Sequence, residues 1–140
     1  MNEKIRVVYV GRHKLLPAQE RAVEELNFQI VKTIENLPTE PAALNSLIQQ
    51  LRGEGIQAVI TVALPPHLLA SLSSAFKVYV FEMKSSTVPN VEEAEKFVAQ
   101  NPSSRTYIPG RPGEPVRVLE FTAINEVKVV VESKRVWPPT

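Results

Sequence analysis

Gln57-Ala58-Val59-Ile60-Thr61-Val62-Ala63 is apolar almost from end to end. A strand with one wet face alternates apolar and polar residues. A run that lacks the alternation and stops at Leu64-Pro65-Pro66 is expected of a strand covered on both faces, which is the habit of parallel sheets. Upstream, Leu44, Leu47, Ile48 and Leu51 recur at helical spacing between Pro41 and the closing Gly53 and Gly55. Before that helix, residues 28–34 alternate apolar and polar except at Val31, as an outer strand does. A helix over 17–26 opens on Pro17, where the missing N–H costs nothing. Ile5-Arg6-Val7-Val8-Tyr9-Val10 reads as the first strand.

Downstream, Pro65-Pro66 opens a third helix carrying Leu68, Leu69 and Leu72, and residues 77–83 make a fourth strand. Lys84-Ser85-Ser86-Thr87 is expected as the loop at its carboxyl end. Residues 91–100 then form a helix with Val91, Ala94, Phe97 and Val98 on one side. Strand and helix alternate throughout, which predicts a three-layer, Rossmann-like α/β domain with a parallel sheet in the order 2-1-3-4. The switch point then lies between the first and third strands, and that is where such sheets bind ligands.

After residue 100 the pattern changes. Residues 101–115 hold four prolines and two glycines, with Arg105 and Arg111 among them, and read as an irregular loop in which Tyr107-Ile108 is an extended piece. Residues 116–133 are expected to be a terminal β-hairpin with its joint at Ala123-Ile124-Asn125, followed by a tail containing Trp137 that either caps the core or meets a second subunit. The whole chain, 1–140, is one domain of ordinary size.

Composition narrows the functional classes. Sixteen basic and fifteen acidic residues give a net charge of +1, which is no footprint for bulk DNA binding. The absence of cysteine excludes a disulfide framework, a thiolate nucleophile and sulfur-ligated zinc. No apolar run approaches the roughly 18 residues of a membrane span, and residues 1–4 lead straight into a strand and not into a signal peptide. The expectation is a cytoplasmic protein without a membrane association. Twelve prolines, two methionines and no cysteine suit a thermophile.

The chemistry-bearing residues cluster at strand ends. Gly11-Arg12-His13-Lys14 joins a tight-turn residue to three potential cations. Neither Gly-x-Gly-x-x-Gly nor a P-loop pattern is present, so Arg12 and Lys14 point to a plainer anion site, or else form a solvated loop. His67 sits in the first turn of the third helix, where a neutral imidazole can pass a proton near pH 7, or where a surface histidine does nothing. If the first and third strands are neighbours, His13 and His67 share one crevice and are the candidate catalytic pair. Lys84, Ser85 and Ser86 are candidate phosphate or ribose ligands and equally ordinary turn residues. Arg105 and Arg111 either fold over a bound anion, serve a dimer contact or simply stand in solvent. No metal site and no cofactor is expected: two histidines without carboxylates at ligand spacing make a poor metal centre. Serine catalysis would need a Gly-x-Ser-x-Gly elbow, which is absent.

The run Arg12-His13, then Leu15-Leu16-Pro17-Ala18-Gln19-Glu20 opening a helix, resembles the "His, then Leu-Thr-Pro-Glu-Gln" helix start of small CRISPR-associated proteins with a single CARF-type, Rossmann-like domain. The resemblance covers about the first 26 residues plus the strand–helix order to residue 83; Leu16 stands for the family's Thr and Ala18 for its Glu. It implies a homodimer that binds cyclic oligoadenylate across paired strand ends and in some members cleaves it without a metal. His13 or His67 would then move the proton from an attacking ribose 2′-hydroxyl, and Arg12, Lys14 or Lys84 would offset the phosphorane charge. Two functional readings follow: a binding module for a nucleotide-type anionic ligand, with or without cleavage, and a non-enzymatic homodimeric interaction or regulatory module.

Overall fold

The computed structural model describes residues 3–139. Its elements, in chain order, are β1 (Ile5–Val10), α1 (Pro17–Glu25), β2 (Phe28–Ile34), α2 (Pro41–Gly53), β3 (Ala58–Thr61), α3 (Pro66–Ser73), β4 (Lys77–Val88), α4 (Val91–Gln100), β5 (Arg105–Ile108) and β6 (Val116–Val127). The six strands form one sheet in the order β2-β1-β3-β4-β6-β5. Strands β2, β1, β3 and β4 pair in parallel; β6 runs antiparallel to both β4 and β5. The protein is therefore α/β with a mixed sheet, not the all-parallel Rossmann sheet with an appended hairpin that the strand–helix alternation predicts.

The parallel half follows from side-chain patterning. All of β3 is buried. Val59 joins Val8, Val10 and Val78 under Leu44, Ile48 and Leu51 of α2 and Leu68 and Leu72 of α3. Ala58 and Ile60 face the other way, with Val7, Tyr9 and Phe81, toward Val23 of α1. Helices α2 and α3 thus cover one face and α1 the other. The one hydroxyl in β3, Thr61 Oγ1, donates to the Val10 carbonyl at 2.8 Å, so its burial leaves no unpaired group.

Local chemistry marks the helix ends. The α1 start has no Ser, Thr or Asp cap. Gln19 Oε1 accepts from Leu16 N at 2.8 Å, and the Ser103 carbonyl accepts from Ala18 N at 2.9 Å, which satisfies amide groups a helix start otherwise leaves bare. Asn27 ends α1 at φ 62°, a left-handed position that asparagine tolerates, and its Nδ2 donates to the Glu3 carbonyl at 2.8 Å. Asn90 caps α4 by accepting from Glu93 N at 2.9 Å, with Glu92 and Glu93 in the first turn, where the helix dipole favours negative charge.

The second half departs from expectation in two linked ways. Lys84-Ser85-Ser86-Thr87 is not a loop: β4 runs through it to Val88, pairing with Val116–Val127 along nearly its whole length. Residues 116–133 are correspondingly not a hairpin. Ala123-Ile124-Asn125 lies inside one continuous strand, without the Gly that a tight reversal favours. The only irregularity is an extra residue, Thr122, opposite the Glu82/Met83 step. Its Oγ1 donates to the Glu82 carbonyl at 3.2 Å and to Glu82 Oε2 at 2.9 Å, which secures the bulge. The true hairpin is β5–β6. Part of the expected proline-rich loop is β5, and the turn narrows to residues 109–115, where Glu114 N donates to the Arg111 carbonyl and Gly113 takes φ +84°.

Arg105 holds this hairpin to α4. Its Nε donates to Glu120, its Nη1 donates at 3.0 Å to both the Phe97 carbonyl and Gln100 Oε1, and its guanidinium stacks 4.1 Å from the Phe97 ring centre. Arg105→Ala is expected to lower unfolding free energy by about 1–3 kcal/mol. Arg12→Ala, which removes only exposed bonds to Asn36, should cost at most about 0.5 kcal/mol. Urea denaturation of the two variants checks the ranking; an Arg105→Ala midpoint equal to that of the parent would show that α4 is held by apolar packing alone.

Candidate functional site

The carboxyl ends of β1 and β3 are adjacent, with Val10 paired to Thr61, and the chain leaves them in opposite directions. After β1 it runs through Gly11-Arg12-His13-Lys14 to α1 on one face; after β3 it runs through Val62-Ala63-Leu64 to α3 on the other. Two hollows meet at this divergence. A crevice of about 380 Å³ is lined by Val10, Gly11, Arg12, Thr61, Leu64 and Leu68, among others. A larger hollow of about 570 Å³ opens toward the antiparallel extension, lined by Lys14, Leu16, Gln19, Phe81, Met83, Thr106, Tyr107, Ile108, Arg117 and Leu119. Both are also lined by Tyr9, His13, Val62 and Ala63.

Tyr9 organises this junction. Its ring is buried in the α1-side core beside Phe81, and its hydroxyl donates to the His13 carbonyl at 2.9 Å, pinning the loop that carries Arg12, His13 and Lys14. Gly11 is required here for close approach: a Cβ at that position would lie 2.5 Å from Tyr9 Oη and 2.7 Å from Cε1 and Cζ. Burial pushes the Tyr9 phenol above its ordinary 10.0.

The larger hollow has an apolar floor and a cationic lip. Phe81, Met83, Leu119 and Ile108 supply the floor, Lys14 and Arg117 the charge, and His13 an imidazole beside them; no carboxylate side chain among the described residues lines it. Arg117 Nε donates to Ser85 Oγ at 2.7 Å, which orients the guanidinium and leaves its terminal nitrogens without a partner among the described residues. Gln19, the buried glutamine of the α1 start, also spans the hollow's wall, its Nε2 donating to Met83 Sδ at 3.6 Å.

The structure sorts the residues singled out from sequence. Gly11, His13 and Lys14 meet at the junction. Arg12 turns outward, with Nη2 donating to Asn36 Oδ1 at 2.6 Å. His67 does not join His13: it lines a separate hollow between α2 and α3, with Thr39, Asn45, Arg52 and Ser71. The crevice where the two loops diverge takes His13 from the first loop but Val62, Ala63 and Leu64 from the second and Leu68 from α3, because His67 lies in the first turn of α3 on the side that faces α2. Lys84 and Ser86 lie in β4, opposite Glu120 and Val118, and of the expected trio only Ser85 reaches the hollow, through Arg117. Arg105 is engaged by Glu120, the Phe97 carbonyl and Gln100 and does not line the hollow. Arg111 sits exposed in the 109–115 turn. Arg117, Thr106, Met83 and Leu119 line the hollow without having been singled out. For Arg117 the signal was present: in Val116-Arg117-Val118-Leu119, period-two alternation puts it on the face opposite the buried valines. Among the described residues, no group of three or more His, Cys, Asp or Glu is placed to hold a metal, and no helix is long and apolar enough to cross a membrane.

No protein-family model matches this chain, and no curated protein or solved structure is significantly similar to it.

The Tyr9 contacts predict two measurable effects. Gly11→Ala should destabilise the fold by about 1–3 kcal/mol through overpacking, and Tyr9→Phe by about 1 kcal/mol through the lost hydrogen bond. With the native phenol raised, the unfolded chain releases the proton first. Stability is therefore full below pH 10 and falls as pH rises through the native value. Urea midpoints measured from pH 8 to 11 should decline less steeply for Tyr9→Phe than for the parent; parallel profiles would show that the phenol does not report this burial.

Proposed function

We propose that the hollow at the ends of β1 and β3 binds a nucleotide-type anion, with a cyclic oligoadenylate as the ligand class. One observation carries the reading: a hollow of about 570 Å³ with His13, Lys14 and Arg117 on its lip, apolar side chains on its floor and, among the described residues, no carboxylate side chain in its wall. Glu20 and Glu35 line an adjoining hollow with His13 and Lys14 but not this one, and cations facing a wall without carboxylate side chains favour phosphate. Apolar surface beside them suits a nucleobase, and the volume falls in the ordinary range for small-molecule sites. The position outside the carboxyl ends of adjacent parallel strands is the one α/β sheets use. The resemblance of residues 12–19 to the CARF-type helix start supports the same ligand class.

Lys14 and Arg117 are the phosphate-binding residues of this reading, and Thr106 is a hydroxyl available to ribose or base. Where binding leads to cleavage, His13 is the imidazole within the hollow and the group that moves the proton. It would take the proton of a ribose 2′-hydroxyl as that oxygen attacks the adjacent phosphorus, and return it to the 5′-oxygen as the phosphorus–oxygen bond breaks. The products are a 2′,3′-cyclic phosphate and a free 5′-hydroxyl, with Lys14 and Arg117 offsetting charge on the phosphorane. His67 has no part in this step.

Thermal unfolding with ATP, cyclic tetraadenylate and cyclic hexaadenylate tests the binding. A ligand at 100 times its Kd should add about 2.7 kcal/mol, and Lys14→Ala combined with Arg117→Ala should abolish the shift. Unchanged melting across the panel would overturn the reading. Chromatography of the incubated oligonucleotides tests cleavage separately: His13→Ala should remove the cyclic-phosphate product and leave the melting shift in place.

A further inference from the structure

Beyond Val127 the chain leaves the sheet. Residues 128–139 form neither helix nor strand and make no backbone hydrogen bond to another described residue. Their sequence is nevertheless strand-like, with Val129, Val130 and Val131 in succession. Val130 is 73%, Val131 90% and Trp137 80% exposed, so Trp137 does not cap the core. A run of β-branched residues continuous with a strand and left in water marks an interaction surface.

Two observations say what covers it. The first is charge order about Val130. Counting outward in both directions pairs Val129 with Val131, Lys128 with Glu132, Glu126 with Lys134 and Ile124 with Val136. Two identical strands paired antiparallel about a two-fold axis juxtapose these residues, with Val130 opposite its own copy. Each of these charged residues then faces its opposite, and Val127, Val129 and Val131 line one face. Sliding the pair by two residues destroys the match, placing Glu126 against Glu132 in one direction and Lys128 against Lys134 in the other. The second is a bare sheet edge. β4 covers one edge of β6 along its length, whereas β5 covers the other only from Arg117 to Glu120, with Phe121 N donating to the Ser104 carbonyl beyond it. Among the described residues no strand lies beside the outer edge from Thr122 to Val127, and in the register centred on Val130 a second copy's residues 133–137 lie along it, in line with β5.

We infer that this chain self-associates by antiparallel pairing of its C-terminal segment, the tail of each copy extending β6 and covering the open edge of the other. Sedimentation of the full chain over a range of concentrations should show a monomer–dimer equilibrium. Lys128→Glu creates two like-charge contacts per dimer by symmetry and should weaken association roughly tenfold or more; Lys128→Glu combined with Glu132→Lys should restore it. Because the chain lacks cysteine, Val130→Cys gives a single thiol that should oxidise quickly to a disulfide-linked dimer, and Val131→Cys more slowly. A monomer at every attainable concentration, a dimer that persists when the chain is cut after Val127, or a double variant as weak as Lys128→Glu would each overturn the inference.

Discussion

The ladder between β4 and β6 is the constraint on which the rest of the molecule turns. β4 pairs in parallel with β3 through residues 77–80 and antiparallel with β6 from Val78 to Val88. One strand therefore joins a parallel layer, closed by helices on both faces, to an antiparallel extension beyond it. Without that length the polar stretch Lys84-Ser85-Ser86-Thr87 has no partner and β5 no strand to lie on. The large hollow would then lose Arg117, Leu119, Thr106 and Ile108, which reach it only because β6 and β5 continue the sheet past the parallel core.

The site is asymmetric for the same reason. Its parallel side contributes a loop, Gly11-Arg12-His13-Lys14, held by the Tyr9 hydroxyl and a close ring-to-glycine contact. Its antiparallel side contributes side chains standing on a strand, with Arg117 oriented by Ser85. A strand-borne guanidinium has a defined direction, whereas His13 and Lys14 are exposed on a loop. The floor between them, Phe81 and Met83, belongs to β4 itself, so the strand that unites the two halves of the sheet also forms the base of the hollow.

Much of the architecture was legible in the residues. The unbroken apolar run at 57–63, the helical spacing of Leu44, Leu47, Ile48 and Leu51, and the prolines at helix starts each report a local preference that the tertiary structure reinforces. The misread segments share one property: their conformation depends on a partner far away in the chain. Serines and a lysine are ordinary turn residues until a neighbouring strand supplies a ladder, and Ala123-Ile124-Asn125 is a plausible joint until β4 proves long enough to hold it extended. Arg105 looked free because its partners, Glu120 and the Phe97 carbonyl, are not adjacent in sequence. The histidines show the same limit. Each was correctly read as following a strand, but which face each loop turns toward is decided by where α1 and α3 pack.

By itself, then, the order of residues determined the alternation of strands and helices, the buried character of β3, the positions of the helix starts and the cluster of cations after β1, because these rest on period, chain stiffness and capping within a few residues. It also contains the charge symmetry about Val130, a property of the chain that needs no fold to be read. Only the tertiary structure decided that the sheet is mixed, that β6 is one strand, that His13 and His67 face different hollows and that Arg117 completes the cationic lip. These are outcomes of long-range strand pairing and of which sheet face each helix covers, and neither is encoded in any single stretch of neighbouring residues.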